Sequence, residues 1–403
     1  MRLLPVRLAL LLFLVFASFG AFVPLYPLHL REALGFGDMA IAYCSATQSV
    51  AMVVASLVVG QIADRWLAAQ RCLALGALLA GLLLWVLAHL TSPWAVFLTT
   101  LGCWLVGGPT MFLGTTICFS HLERPEKQFG PIRLWGTVGW MVPGWILYLW
   151  LRQTNPHAQL SDIYRLAAFL AWALALYALT LPHTPPSTSP ASRTPAPLEA
   201  LARLRSRSFF TYCSCTVGFW MTMAFTAQNI PLLLEQLGLP RNQVALSLTL
   251  EQVSEVVGLA LLPFALLVLG TRGTMLIGLS AWTAFMTVLS IGRPLGLVIP
   301  FLTCHGVCIS GFIIAGQVFV NQQTRADLRA STQSLLTFTN ALGMLGGHLL
   351  AGWLRHLTAG DLPRTFTAAA VVMAGLLALF LVGFRPGEPA PIGDPALSQP
   401  VTP

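Results

Sequence analysis

Two carboxylates and an amide share one face of an apolar segment. In Ser247-Leu-Thr-Leu-Glu251-Gln252-Val-Ser-Glu255-Val-Val-Gly258, Glu251 and Glu255 stand four residues apart and Gln252 and Glu255 three apart, the offsets that bring helical side chains together. Carboxylates this close repel when both are ionised, which makes one of them a plausible proton carrier near neutral pH. Glu255, the deeper of the two, is the expected carrier, with Glu251 beside it. A blander reading has Glu251 reaching the headgroups and Glu255 pairing with an arginine to lock helices. An ionisable group inside a membrane costs at least ~2.5–3.5 kcal/mol, so such groups usually mark ion or substrate paths.

Three more groups could do chemistry. In Pro131-Ile-Arg133-Leu-Trp135-Gly136-Thr137-Val-Gly139-Trp140, Arg133, Thr137 and Trp140 recur at i, i+4 and i+7, so one face offers a charge, a hydroxyl and a ring. The alternative is that Arg133 snorkels to headgroups and the tryptophans form an interfacial belt. Gly136 and Gly139 read as close-packing positions. Gln228 and Asn229 precede Pro231, whose missing N–H can break a helix and bare carbonyls to a cavity, or simply kink it. A further run carries His305, Ser310, Gln317 and Asn321; His305 has the intrinsic chemistry of a proton relay, and equally that of a packed hydrogen-bond donor. Gln48, Asn340 and His348 are weaker candidates, and Gly343, Gly346, Gly347 and Gly352 read as sites of close helix approach.

The elements that must position these residues follow from composition. With 56% hydrophobic and 9% charged residues over 403 positions and a mean hydropathy of +0.75, too few polar groups exist to wet a globular surface. Lipid is the expected solvent. Apolar runs near 6–28, 39–61, 72–91, 94–119, 131–151, 163–182, 208–234, 242–269, 273–291, 295–320, 330–354 and 364–384 each suffice to cross a ~30 Å core. The fold expected is an all-α membrane protein of twelve transmembrane helices.

An even count puts both termini on one side. Alternating the loops places 15 of the 22 Lys and Arg residues on that side and 7 opposite, so both termini are expected in the cytoplasm and the first run is expected to be an uncleaved helix. The basic balance reads as topology, not as a surface for a nucleic acid polymer. The stretch from His183, rich in Pro, Ser and Thr and closing with Arg203, Arg205 and Arg207, divides the chain near its middle. The expected organisation is a six-helix bundle over 1–182, a cytoplasmic linker over 183–207, a second six-helix bundle over 208–384 and a tail over 385–403. The eight cysteines fall mostly in apolar runs and suggest no disulfide framework, and Cys304-His305-x-x-Cys308 lacks the second ligand pair of a zinc site. No cofactor or metal is expected. No catalytic Asp pair or Ser with a His base stands out, which argues against an intramembrane enzyme.

A family likeness runs in order along nearly the whole chain. Gly60-Gln-Ile-Ala-Asp64-Arg65 resembles the 2–3 loop signature of the major facilitator superfamily. More narrowly, Gly60–Arg71, Pro131–Gly139, Tyr177–Pro182, Gln252–Gly258 and Val318–Gln322 followed by Arg329-Ala-Ser331 resemble the nucleoside:proton symporter family. The resemblance implies a major facilitator fold, a cytoplasmic gate that includes Asp64 and Arg65, and nucleoside import with the proton as coupling ion. It implies substrate contacts from Arg133, Thr137 and Trp140 in the fifth run and from Gln252 and Glu255 in the eighth. Trp140 stands where the family has a stacking phenylalanine. His305 and Ser310 align with a Tyr and an Asp of the family, so a tenth-run carboxylate is missing. Gln228 and Asn229 match the family's seventh-run amides in type, a few residues late. A monomer in a bacterial inner membrane is the expected setting. The alternative substrate is another small organic solute, such as an aromatic carboxylate clamped by Arg133, taken up or exported.

Overall fold

The computed structural model describes residues 4–62, 68–122, 125–152, 157–184, 207–323 and 329–385, excepting the side chains of 55–62, 125–127, 321–323 and 329–334. Among these residues every regular element is a helix. Lipid offers no hydrogen bonds, so each buried segment must satisfy its own backbone. In chain order the helices are α1 (Leu4–Gly20), α2 (Asp38–Ile62), α3 (Ala69–Leu87), α4 (Pro93–Gly107), α5 (Pro109–His121), α6 (Pro125–Trp150) and α7 (Asp162–Ala178). They continue with α8 (Arg207–Gln236), α9 (Arg241–Ile291), α10 (Leu295–Phe301), α11 (Cys304–Cys308), α12 (Ala315–Gln323), α13 (Arg329–Leu357) and α14 (Leu362–Gly383).

Helix lies over each of the twelve apolar runs, and among the described residues seven stretches are long and apolar enough to cross a membrane by length and composition. The boundaries depart from the apolar pattern where the backbone lacks a donor or a Cβ. Pro24 and Pro27 cannot donate, and past Gly20 the chain winds through a 3-10 turn at Val23–Leu25 and a π turn at His29–Ala33. The fourth run is divided at Gly108-Pro109 into α4 and α5. The eighth and ninth runs form the two arms of α9, joined by a kink at Gly270 (φ 65°, ψ 176°), a backbone region open essentially to glycine alone. A π turn over Ile309–Ile314 interrupts the tenth run.

Packing sorts the helices into two groups. Within the first, α1 lies on α6 and α7, and α3 lies on α4 and α7. Within the second, α8 lies on α13 and α14, and α9 on α11 and α14. Small residues set the spacing, as expected where lipid removes the hydrophobic drive between helices: a Cβ on Gly139 would overlap the Phe13 carbonyl, and one on Gly347 the Met221 carbonyl. The second group is filled by rings, Phe219 against Trp282 and Phe380 against Phe384, and the buried Trp282 N–H donates to Thr222 Oγ1 at 3.0 Å.

The groups meet chiefly along two joints, α2 on α13 and α6 on α9, with the Val23–Leu28 stretch also touching α8. Both are tight at the end of the bundle away from the termini, the distal end. A Cβ on Gly352 of α13 would lie 2.5 Å from Ala42 Cβ and 2.7 Å from the Asp38 carbonyl of α2. A Cβ on Gly144 of α6 would lie 3.1 Å from Thr249 Cγ2 of α9, and Trp145 Nε1 donates to Thr249 Oγ1 at 3.3 Å. Arg241 adds an exposed ion pair across the groups, 3.2 Å from Glu32.

Candidate substrate site

The α6–α9 joint brings the strongest sequence candidates together. Arg133 is half-buried, and its guanidinium carbon sits 4.3 Å from the centroid of the Phe16 ring on α1, a cation–π contact. Gly136, one turn on, makes room for that contact: a Cβ there would lie 2.8 Å from Arg133 Nη1 and 2.9 Å from Phe16 Cδ2. Gly139 is the closer helix-packing position of the two. Thr137 is buried, and Trp140 packs at the edge of the aromatic core.

From the opposite group, α9 supplies Glu251, Gln252 and Glu255, all half-buried. The Arg133 and Glu255 charges interact across the joint, yet no N···O contact within 4.0 Å makes them an ion pair. Glu251, one turn away on the same helix, in turn feels the charge of Glu255. The site thus holds a cation and an acid that sense each other and remain free to bond something else.

The tenth run stands directly behind this face. Gly306 N–H donates to Ser254 Oγ at 3.1 Å, Ser254 Oγ donates to the Glu251 carbonyl at 2.7 Å, and a Cβ on Gly306 would overlap the Glu255 backbone nitrogen. Ser310 donates its hydroxyl back to the Gly306 carbonyl at 2.8 Å and packs on Gly258. His305 sets its ring 5.9 Å from Trp282, and its Nδ1 has no partner.

Gln228 and Asn229 belong to a separate network on α8 and α13. His348 Nδ1 lies 3.1 Å from Gln228 Oε1, and Arg355 Nη1 donates to Asn229 Oδ1 at 2.6 Å. Arg355 is fully buried, and it also reaches the other group, donating from Nε to Asp38 Oδ1 at 3.1 Å and from Nη2 to the Asp38 carbonyl at 3.2 Å. Asp38 receives Arg31 as well, at 3.0 Å. Sequence reasoning counted Arg355 only as a loop charge and passed over Asp38 and Phe16. An acid in the first turn of an apolar run was the one signal available for Asp38. Asp64 and Arg65 lie outside the described residues. Among the described residues no set of three or more His, Cys, Asp or Glu could hold a metal, and none of the eight cysteines forms a disulfide.

Comparison with known proteins matches this architecture to transporters. Residues 2–388 match the family model described as nucleoside H+ symporter. The chain is 27% identical to the nucleoside permease NupG of Escherichia coli (strain K12) over 371 residues, 87% of each chain. It is 26% identical to the xanthosine permease of the same organism over 408 residues, 95% of this chain and 96% of the relative. Among solved structures, a crystal structure of the nucleoside transporter NupG aligns with a TM-score of 0.84 at 24% identity, covering 94% of this chain and all of that one. The peptide transporter POT aligns with a TM-score of 0.74 at 12% identity, covering 94% and 93%, a likeness of fold. By the match over nearly its whole length, the chain belongs to the nucleoside H+ symporter family.

Proposed function

We propose that this protein imports nucleosides together with protons by alternating access, with twelve membrane crossings in two six-helix halves, 1–182 and 208–384, and the substrate bound between them. The observation that carries the reading is the α6–α9 joint, where helices of opposite halves hold Arg133 and Glu255 in electrostatic reach without a direct bond. Arg133, Thr137, Trp140 and Gln252 bind the solute. Glu255 takes the proton, with Glu251 beside it setting the local charge. His305 and Ser310 shape the wall behind Glu255.

In this reading the excess of Lys and Arg on the terminal side puts both termini in the cytoplasm, so the distal end is external and this structure is closed to the outside. Protonation of Glu255 weakens its pull on Arg133 and frees the guanidinium for the substrate; release inside returns both groups to their mutual attraction. The cycle moves its solute unchanged and uses no cofactor beyond the proton.

The experiment is pH-gradient-driven uptake of labelled uridine and adenosine into proteoliposomes holding wild type, Glu255→Gln or Arg133→Ala. Uptake that vanishes with the gradient and with Glu255→Gln supports the symporter. Uptake by Glu255→Gln against a gradient removes Glu255 from the coupling. Displacement of label by aromatic acids and not by nucleosides would move the substrate to the organic anions, with Arg133 as their clamp.

A further inference from the structure

Among the described residues two ion pairs join the helix groups, and each belongs to a triad of alternating charge at the distal end. Arg31 and Arg355 bracket one carboxylate: Asp38 Oδ1 receives Arg31 Nη1 at 3.0 Å and Arg355 Nε at 3.1 Å. Glu32 and Glu235 bracket one guanidinium: Arg241 reaches Glu32 through Nη2 and Glu235 through Nε, both at 3.2 Å. Arg31 and Glu32 are consecutive residues of the π turn His29–Ala33, so one turn of the first group feeds both triads with opposite signs.

The shared ion of each triad has one partner in its own group and one across the joint. Arg31 and Asp38 belong to the first group and Arg355 to the second; Glu32 belongs to the first, Arg241 and Glu235 to the second. The outer ions of each triad repel, Arg31 against Arg355 and Glu32 against Glu235. Parting the groups therefore breaks one attraction in each triad and relieves one repulsion. It leaves no ion of the second triad's centre or the first triad's bare: Asp38 keeps Arg31 and Arg241 keeps Glu235. Arg355 keeps the side-chain oxygen of Asn229, on its own group, at 2.6 Å. A buried pair without such standby partners leaves uncompensated charge when it breaks.

We infer that the two triads form a reversible latch on the distal end, in which Arg31 and Glu235 are standby partners that hold Asp38 and Arg241 while the groups are apart. This rests on the alternating-access reading above. Such a latch has a property that a plain structural ion pair lacks, because the two partners of one shared ion act in opposite directions. Losing the partner across the joint weakens the closed form alone. Losing the standby partner weakens the open form, where it is the one ion left beside the shared charge, and rids the closed form of a repulsion.

The test measures the spin-label distance across the distal end of the full chain in lipid nanodiscs. Labels go on Ser92→Cys and Arg364→Cys, exposed positions in opposite groups, with Cys72 and Cys304, the two cysteines that are not buried, replaced by serine. In conditions where wild type shows both a short and a long distance, Glu32→Gln raises the ratio of open to closed forms by about two- to fivefold and Glu235→Gln lowers it by a similar factor, the range open to an exposed pair. Asp38→Asn raises the ratio further, and Arg31→Gln lowers it. Shifts of one sign for Glu32→Gln and Glu235→Gln, or no shift in either, overturn the latch. Should Asp38→Asn fail to fold, the exposed Arg241 triad decides alone. A single short distance in wild type and every variant, with or without uridine and at acid or neutral pH, overturns alternating access and the latch with it. Two distances with shifts of equal sign overturn the latch alone.

Discussion

The two joints between the helix groups use the same ingredients to opposite ends. At α2–α13, Arg355 is wholly buried and bonded to Asp38 twice and to Asn229 once. At α6–α9, Arg133 and Glu255 attract each other without contact, and the guanidinium rests on the Phe16 ring. A buried cation with every near donor used is a lock, since removing its partner strands a charge. A cation held beside an acid but bonded to neither acid nor water-rich surface is a site, since a small change in protonation or a small ligand decides what it bonds next.

The contrast can be broken at its strongest point first. Glu255→Gln keeps the shape of the site and removes its titration, so gradient-driven accumulation should fall to the passive level while nucleoside exchange across an equilibrated membrane continues. Loss of exchange as well would mean Glu255 binds substrate without coupling. Arg355→Met leaves Asp38 to Arg31 alone and strands the buried Asn229 oxygen, and the purified protein should lose about 1–3 kcal/mol of stability. Thermal melting that does not move would show that the α2–α13 pair is no lock. Phe16→Leu keeps an apolar neighbour and deletes the ring face under Arg133; a cation–π contact is worth about 0.5–2 kcal/mol, so substrate KM should shift by a few-fold with melting little changed. The smallest effect belongs to Arg241→Gln. Its side chain is 51% exposed in its pairs with Glu32 and Glu235, and an exposed pair contributes at most about 1 kcal/mol. A melting shift there as large as that of Arg355→Met would erase the distinction between rim and joint.

The helices were legible from the apolar runs, which gave no break within 6–28 or 94–119, and the departures from them have local causes. Pro24, Pro27 and the Gly108-Pro109 pair change the winding because donors are missing, and Gly270 turns α9 because no side chain forbids it. The α9 face of Glu251, Gln252 and Glu255 was legible for the same reason, since all three lie on one helix within one turn. Gln228 and Asn229 stood out in the sequence as polar residues in an apolar run, but nothing in their neighbourhood along the chain named their partners. Arg355 looked like a loop cation because it follows an apolar run. Its acid, Asp38, is 317 residues away, and Phe16 is indistinguishable from the other apolar residues of its run.

The amino-acid sequence by itself determined that this chain lives in lipid, which stretches are helical, and which polar groups break the apolar pattern. Those are one-dimensional properties, because a backbone in hydrocarbon must satisfy its hydrogen bonds within each segment and an apolar run must match the bilayer. Only the tertiary structure decided which of those polar groups are paired and which are left open. Pairing depends on helices from distant parts of the chain meeting in one register, so that Arg355 finds Asp38 and Asn229, Arg133 finds Phe16 while stopping short of Glu255, and the amide nitrogens of Gln228 and Asn229 find nothing.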